Sequence, residues 1–148
     1  MLEKYSPNRK VLYVDDEPAL LDSFKAMFRK EDVEVYTLQY PEMINKVINN
    51  YGPFAVVISD ERMPNLQGHQ LLEIVKSNNL NTQRYLVTGF SSLEDTIKAI
   101  NIGGIHRYIP KPWKEEEVKN LVKEGIDTFN IAEEKEYLIN YLKEQNKL

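Results

Sequence analysis

The sequence contains no cysteine. That excludes a disulfide framework and any metal site built on thiolates. Long apolar runs are also missing: none approaches the roughly 18–20 residues that a membrane helix needs. The opening "MLEKYSPNRK" lacks the apolar stretch of a signal peptide. A cytoplasmic protein that does not enter the membrane is the simplest expectation. Positive charge is not in excess, the net charge being −4, so nothing favours direct binding to nucleic acid. Only two histidines occur, His69 and His106, with no carboxylate or cysteine at ligand spacing, and both read as structural or exposed. What remains is 148 residues with 42% hydrophobic content, enough for one domain with an ordinary core.

Within that frame, apolar runs alternate with helical patterns. "KVLYVDD" (10–16) reads as a first strand. "PALLDSFKAMFRK" (18–30) puts Leu20, Leu21, Phe24, Met27 and Phe28 on one helical face, with Pro18 suited to the first turn. "VEVYTL" (33–38) is a second strand, and "PEMINKVINN" (41–50) a short helix with Met43, Ile44, Val47 and Ile48 inward. "PFAVVIS" (53–59) is apolar throughout, as a strand covered on both faces should be. "LQGHQLLEIVKSN" (66–78) is helical, with Leu71, Leu72 and Val75 toward the core, and "QRYLVTG" (83–89) is a fourth strand. "SLEDTIKAINIG" (92–103) is a helix with a capping box at Ser92 and Asp95 and a stop at Gly103. "IHRYIP" (105–110) is a fifth strand, and the chain is helical from about Lys114 nearly to its end.

Five strands alternating with five helices imply an α/β fold, a doubly wound parallel sheet with helices on both faces. Right-handed crossovers leave few topologies, of which the flavodoxin-like order 2-1-3-4-5 is preferred. Chemistry in such a fold sits beyond the carboxyl ends of the strands. Strand 1 ends in Asp15, Asp16 and Glu17, strand 3 in Asp60, strand 4 in Thr88 and Gly89, and strand 5 near Tyr108 and Lys111.

Each of these residues has a plain alternative role. Asp15 or Asp16 can cap the helix that begins at Pro18. Asp60 and Lys111 can be loop charges, Thr88 a strand-end hydroxyl and Tyr108 a half-buried strand residue. Their gathering at one sheet edge argues for chemistry. Clustered carboxylates repel unless a cation or a proton neutralises them. One or two carboxylates, a carbonyl and waters suit Mg²⁺. A carboxylate can act as a nucleophile toward phosphorus, with a metal and a lysine offsetting the charge of the transferring group. The set makes sense as a phosphoryl acceptor site.

The motifs "VLYVDDEPALL", "VVISDERMPNLQGHQLL", "YLVTGFSS" and "YIPKPW", in that order, resemble those of response-regulator receiver domains of two-component signalling, over roughly residues 9–125. The resemblance implies that Asp60 accepts a phosphoryl group from a phosphohistidine on a sensor histidine kinase or a phosphotransfer protein. It implies that Asp15, Asp16, Asp60 and the backbone carbonyl of Arg62 hold Mg²⁺. Thr88 and Lys111 would bind the phosphoryl oxygens, and Thr88 and Tyr108 would form the switch. Lys111-Pro112 would be a cis peptide. The output face would be the fourth helix, fifth strand and fifth helix, about 92–125. Such a module is not an enzyme beyond its own phosphorylation and autodephosphorylation. Arg62 and Phe90 fall at the family's variable positions, and their bulk would hinder water and lengthen the phosphorylated state. Glu61, another acidic group beside the acceptor, could act on metal affinity, but facing solvent is the simpler expectation.

Three other readings fit less well. A haloacid-dehalogenase-like phosphatase also uses an aspartate nucleophile, but it wants a second aspartate two residues on, where Arg62 and Pro18 stand here. A flavin-binding flavodoxin wants a Ser/Thr/Gly-rich first loop, and "DDEP" would repel a phosphate. A receiver that works unphosphorylated would not need so complete a site.

The C-terminal pattern exceeds a plain receiver. A helix over 114–148 would be roughly 50 Å long at about 1.5 Å per residue. Val118, Leu121, Val122, Ile126 and Phe129 can pack on the sheet, whereas Ile131, Leu138, Tyr141 and Leu142 have no obvious core to join, and Gly125 sits inside the helix at some cost. The expected division is a receiver domain over 1–125 and a helical extension over 126–148. That extension reads as a coiled-coil linker to a second copy, giving a homodimer, or to an output domain absent here. The chain stops at "KEQNKL" without an output domain, as a piece of a longer regulator would. By analogy alone, "SDERMP" and "YIPKPW" look like receivers joined to phosphodiesterase or kinase modules.

Overall fold

A computed structural model describes residues 3–89 and 104–146. Five parallel strands, β1 (Lys10–Val14), β2 (Glu34–Leu38), β3 (Val56–Asp60), β4 (Gln83–Gly89) and β5 (Arg107–Lys111), pair in the order β2-β1-β3-β4-β5. This is the expected flavodoxin-like sheet. The described helices are α1 (Pro18–Met27), α2 (Ile44–Tyr51), α3 (Gly68–Asn78) and α4 (Glu115–Glu144), with a 3₁₀ turn at Pro41–Met43 before α2. The helix expected over 92–103, with its caps at Ser92, Asp95 and Gly103, lies outside the described residues, as does Phe90.

Side chains alternate across the pleat, and the sheet sorts them into two cores. Val11, Tyr13, Val56, Ile58, Tyr85, Val87 and Ile109 face Leu21, Phe24 and Met27 of α1 and Val118, Val122, Ile126 and Phe129 of α4. Leu12, Val14, Val57 and Leu86 face Ile44 of α2 and Leu71, Leu72 and Val75 of α3. β3 is buried along its whole length, which explains why its sequence is apolar without alternation. Asp60 and Lys111 close their strands one residue beyond the strand runs 53–59 and 105–110, because Asp60 stays in register with Val87 and Lys111 with Gly89. One expected detail differs. Met43 is exposed, since the 3₁₀ turn rotates it away from the face that Ile44 buries.

Gly125 has a packing reason. A Cβ there would lie 2.5 Å from the Tyr85 hydroxyl and 2.8 Å from Val56 Cγ2, so the glycine lets α4 lie close on the sheet. The Tyr85 hydroxyl uses that approach to donate to the Leu121 carbonyl at 2.7 Å.

α4 runs 30 residues, about 45 Å at 1.5 Å per residue. Its packing on the sheet extends to Phe129, in line with the apolar positions expected to reach it. Polar bonds then hold it further than expected. Asn130 accepts from the Tyr5 hydroxyl at 2.7 Å and from the Asn8 N–H at 2.8 Å, and it donates to the Asn8 carbonyl. Tyr137 donates to the Glu3 carbonyl, while Asn79 and Asn81 donate to Glu133 and Glu136. Ile131 remains 70% exposed and Leu138 40%.

Candidate functional site

The carboxyl edge of the sheet brings the acidic residues together. Asp15 follows β1 directly, and its N–H still bonds the Leu38 carbonyl of β2, so the strand direction carries it into the edge, fully buried. Its carboxylate is held from both sides. The Tyr13 hydroxyl donates to Oδ2 at 2.6 Å, a short charge-assisted bond, and the Glu17 N–H donates to Oδ1 at 3.0 Å. Burial first, and then this bond to Asp15, push the Tyr13 hydroxyl far above its ordinary pKa, so it stays a donor. Tyr13 stacks on Phe24 and meets Trp113 edge-on at 5.6 Å. No side chain caps α1; Asp15 ties down Glu17 instead.

Asp60 is buried at the end of β3, and Lys111 Nζ reaches its Oδ1 at 2.7 Å from the end of β5. Asp15, Asp16 and Asp60 each offer a carboxylate oxygen, and the three oxygens lie within 4.8 Å of one another. Burial raises the Asp60 pKa above the carboxylate range; Asp15 and Asp16 push the same way, and Lys111 opposes without winning. For Lys111 burial alone would lower the pKa, but the hydrogen bond and charge of Asp60 leave it raised, so it remains a cation.

Thr88 is buried in β4 opposite Pro110, with its hydroxyl 3.4 Å from the Gly89 carbonyl, a long contact. Glu17, Asp60, Arg62, Thr88, Gly89 and Lys111 line a cleft of about 230 Å³. The Lys111-Pro112 peptide is cis. Tyr108 of β5 pairs with Leu86 of β4 and packs inward; its hydroxyl is buried with no hydrogen-bond partner among the described residues. Burial, and then the charge of Glu61, raise its pKa.

Hard carboxylate oxygens gathered from the ends of two neighbouring strands suit a small divalent cation, and a cation there would relieve their repulsion. Two features were not read from the sequence. Tyr13 and Asp15 stand two residues apart at the end of one strand, so alternation alone puts them on one face. Glu61 does not face solvent: its carboxylate accepts from the backbone N–H of His69 at 3.1 Å and meets the ring Nδ1 at 2.9 Å. His69 therefore has a carboxylate partner that its sequence spacing does not announce. His106 is structural, its Nδ1 accepting the Arg84 N–H at 3.0 Å.

Comparisons with known proteins agree with this geometry. Residues 11–123 match the response regulator receiver domain family, and the chain belongs to that family. It is a receiver domain of a two-component response regulator. It is 30% identical over 126 residues to the hydrogenase transcriptional regulatory protein HoxA of Bradyrhizobium diazoefficiens, covering 85% of this chain and 26% of HoxA. A crystal structure described as an adenylate cyclase from Rhodopirellula baltica superposes with a TM-score of 0.82 at 28% identity, over 90% of this chain and 98% of that one. A response regulator receiver domain from Clostridium thermocellum shares the fold, with a TM-score of 0.75 at 24% identity over 83% of this chain and 98% of that one. The haloacid-dehalogenase alternative finds no support in these matches. Among the described residues, no helix is long and apolar enough to cross a membrane.

Proposed function

We propose that this receiver is a phosphorylation switch whose acceptor is Asp60. The observation that carries the reading is the buried Asp60 carboxylate, 2.7 Å from Lys111 and within reach of Asp15 and Asp16. A carboxylate in this setting is desolvated, and Lys111 with a bound cation would offset the charge that an acyl phosphate adds beside Asp15 and Asp16. An Asp60 oxygen attacks phosphorus, the P–N bond to the donor imidazole breaks, and its electron pair leaves with the imidazole, which takes up a proton. The donor is a phosphohistidine on a sensor histidine kinase or a phosphotransfer protein.

Asp15, Asp16, Asp60 and the Arg62 carbonyl would hold Mg²⁺, which when bound supplies positive charge against the phosphoryl oxygens. Tyr13 and the Glu17 N–H keep the Asp15 oxygens fixed. Lys111 stays charged and binds a phosphoryl oxygen. Thr88 supplies a hydroxyl to another, and Tyr108, packed against the same edge, follows its movement. The module catalyses nothing beyond its own phosphorylation and dephosphorylation. Arg62 at the cleft, with Phe90, slows attack by water. The described part of the output face runs through β5 into α4, whose extension beyond 125 links to a second copy or to an output domain in a longer chain.

Incubation with acetyl phosphate and Mg²⁺, read by intact mass, tests the reading. The wild type gains one phosphoryl group and Asp60→Asn gains none; an unmodified wild type would overturn it.

A further inference from the structure

The residue after the acceptor is a glutamate that also lines the cleft, and the structure bonds its carboxylate to α3. Glu61 is bonded at both of its ends to the start of α3. Its backbone carbonyl accepts the Gly68 N–H at 3.0 Å. Its carboxylate accepts the His69 N–H at 3.1 Å, and His69 Nδ1 lies 2.9 Å from one oxygen and 3.0 Å from the other. Both side chains are mostly buried, 13% exposed for Glu61 and 18% for His69. The Glu61 N–H in turn bonds the Val87 carbonyl of β4. The loop between these anchors therefore closes on itself. It holds Arg62, a buried Met63, and Asn65 in the left-handed region at φ 72. Gly68 seals it: a Cβ there would lie 2.2 Å from the Asp60 carbonyl, so α3 starts directly against the end of β3.

We infer that Glu61 and His69 are positioning residues that fix the loop presenting the Arg62 carbonyl to the cation. This deepens the phosphoacceptor reading and rests on it. Glu61 acts through geometry. Its charge is spent on donors from His69, and it is not among the three residues whose oxygens converge. Groups that orient a metal ligand from behind are worth about 10–100-fold in metal affinity. A loop freed from this clamp must be ordered again each time the cation binds.

The test is Mg²⁺ titration of the full chain without phosphodonor. It is followed by calorimetry and by the fluorescence of Trp113, the sole tryptophan, which sits edge-on to Tyr13. Glu61→Ala is expected to bind Mg²⁺ about tenfold more weakly. Glu61→Gln keeps an acceptor for the His69 N–H and is expected to stay close to wild type. His69→Ala keeps the backbone donor, loses the ring contact and falls between them. In metal-free protein, amide exchange at Gly68 and His69 should quicken in Glu61→Ala and not in Glu61→Gln. Equal affinities for wild type, Glu61→Ala and His69→Ala would overturn the inference and leave the acceptor reading standing. Equal loss in Glu61→Gln and Glu61→Ala would overturn it too, by showing that charge matters rather than position. A wild type that binds no Mg²⁺ would overturn both.

Discussion

The two ends of the sheet treat their polar groups in opposite ways. At the amino end every device is matched. Buried Arg84 gives its guanidinium to the carbonyls of Leu80, Thr82 and Gly104. Thr82 donates to the Phe54 carbonyl, and Asn130 ties the N-terminal segment to α4. At the carboxyl end three carboxylates crowd within 4.8 Å of one another with Lys111 bonded to Asp60, and a tyrosine hydroxyl is buried without a partner among the described residues. Buried polar groups are normally satisfied, and departures gather at functional sites. The amino end supplies stability that the carboxyl end gives up in order to bind something.

The largest expected effect separates the ends by function. Asp60→Asn abolishes phosphoryl uptake, whereas Asn130→Ala leaves it unchanged; loss of uptake in both would erase the contrast. Asn130→Ala should instead cost about 1–3 kcal/mol, at about 1 kcal/mol for each of its three part-buried bonds to Tyr5 and Asn8, read as a lower midpoint in thermal or urea unfolding. Gly125→Ala should cost a similar amount, about 1–3 kcal/mol, by forcing α4 off Tyr85 and Val56, again without touching the acceptor.

The carboxyl end should also declare itself through pH. The Asp60 pKa is raised in the folded state, chiefly by burial. The folded protein then holds this proton more tightly than the unfolded chain does. Its contribution to stability is complete below the ordinary aspartate value of about 3.9 and is lost as pH rises through the higher folded value. In chelator, melting temperature should carry that loss; with Mg²⁺ the loss should shrink, because the cation takes over the proton's role. Identical pH profiles with and without Mg²⁺ would contradict this. The smallest effect is Tyr108→Phe, which removes a hydroxyl with no partner among the described residues and should be neutral or stabilising by about 1 kcal/mol in thermal unfolding. A clear destabilisation would show that the hydroxyl has a bond after all.

The same contrast explains what was legible in the sequence. Strand order and the candidate edge residues follow from short apolar runs such as "VVIS" and from where each run stops. Asp60 stands out because a charge follows four buried positions. The amino end was not legible, because Asn130 meets Tyr5 and Asn8 only after the whole sheet has formed. Neither was the reason for Gly125, which depends on Tyr85 and Val56 crossing beneath it, nor the pairing of Glu61 with His69, which needs the loop between them to close. Local periodicity fixes elements, whereas these contacts are set by packing between elements distant in the chain.

On the phosphoacceptor reading, the carboxyl edge takes up phosphoryl at one position. After reaction with acetyl phosphate and Mg²⁺, borohydride reduction and peptide mass spectrometry would locate the modified side chain. Reduction confined to Asp60 is the predicted result. Modification at Asp15 or Asp16 instead, or at no aspartate, would contradict it.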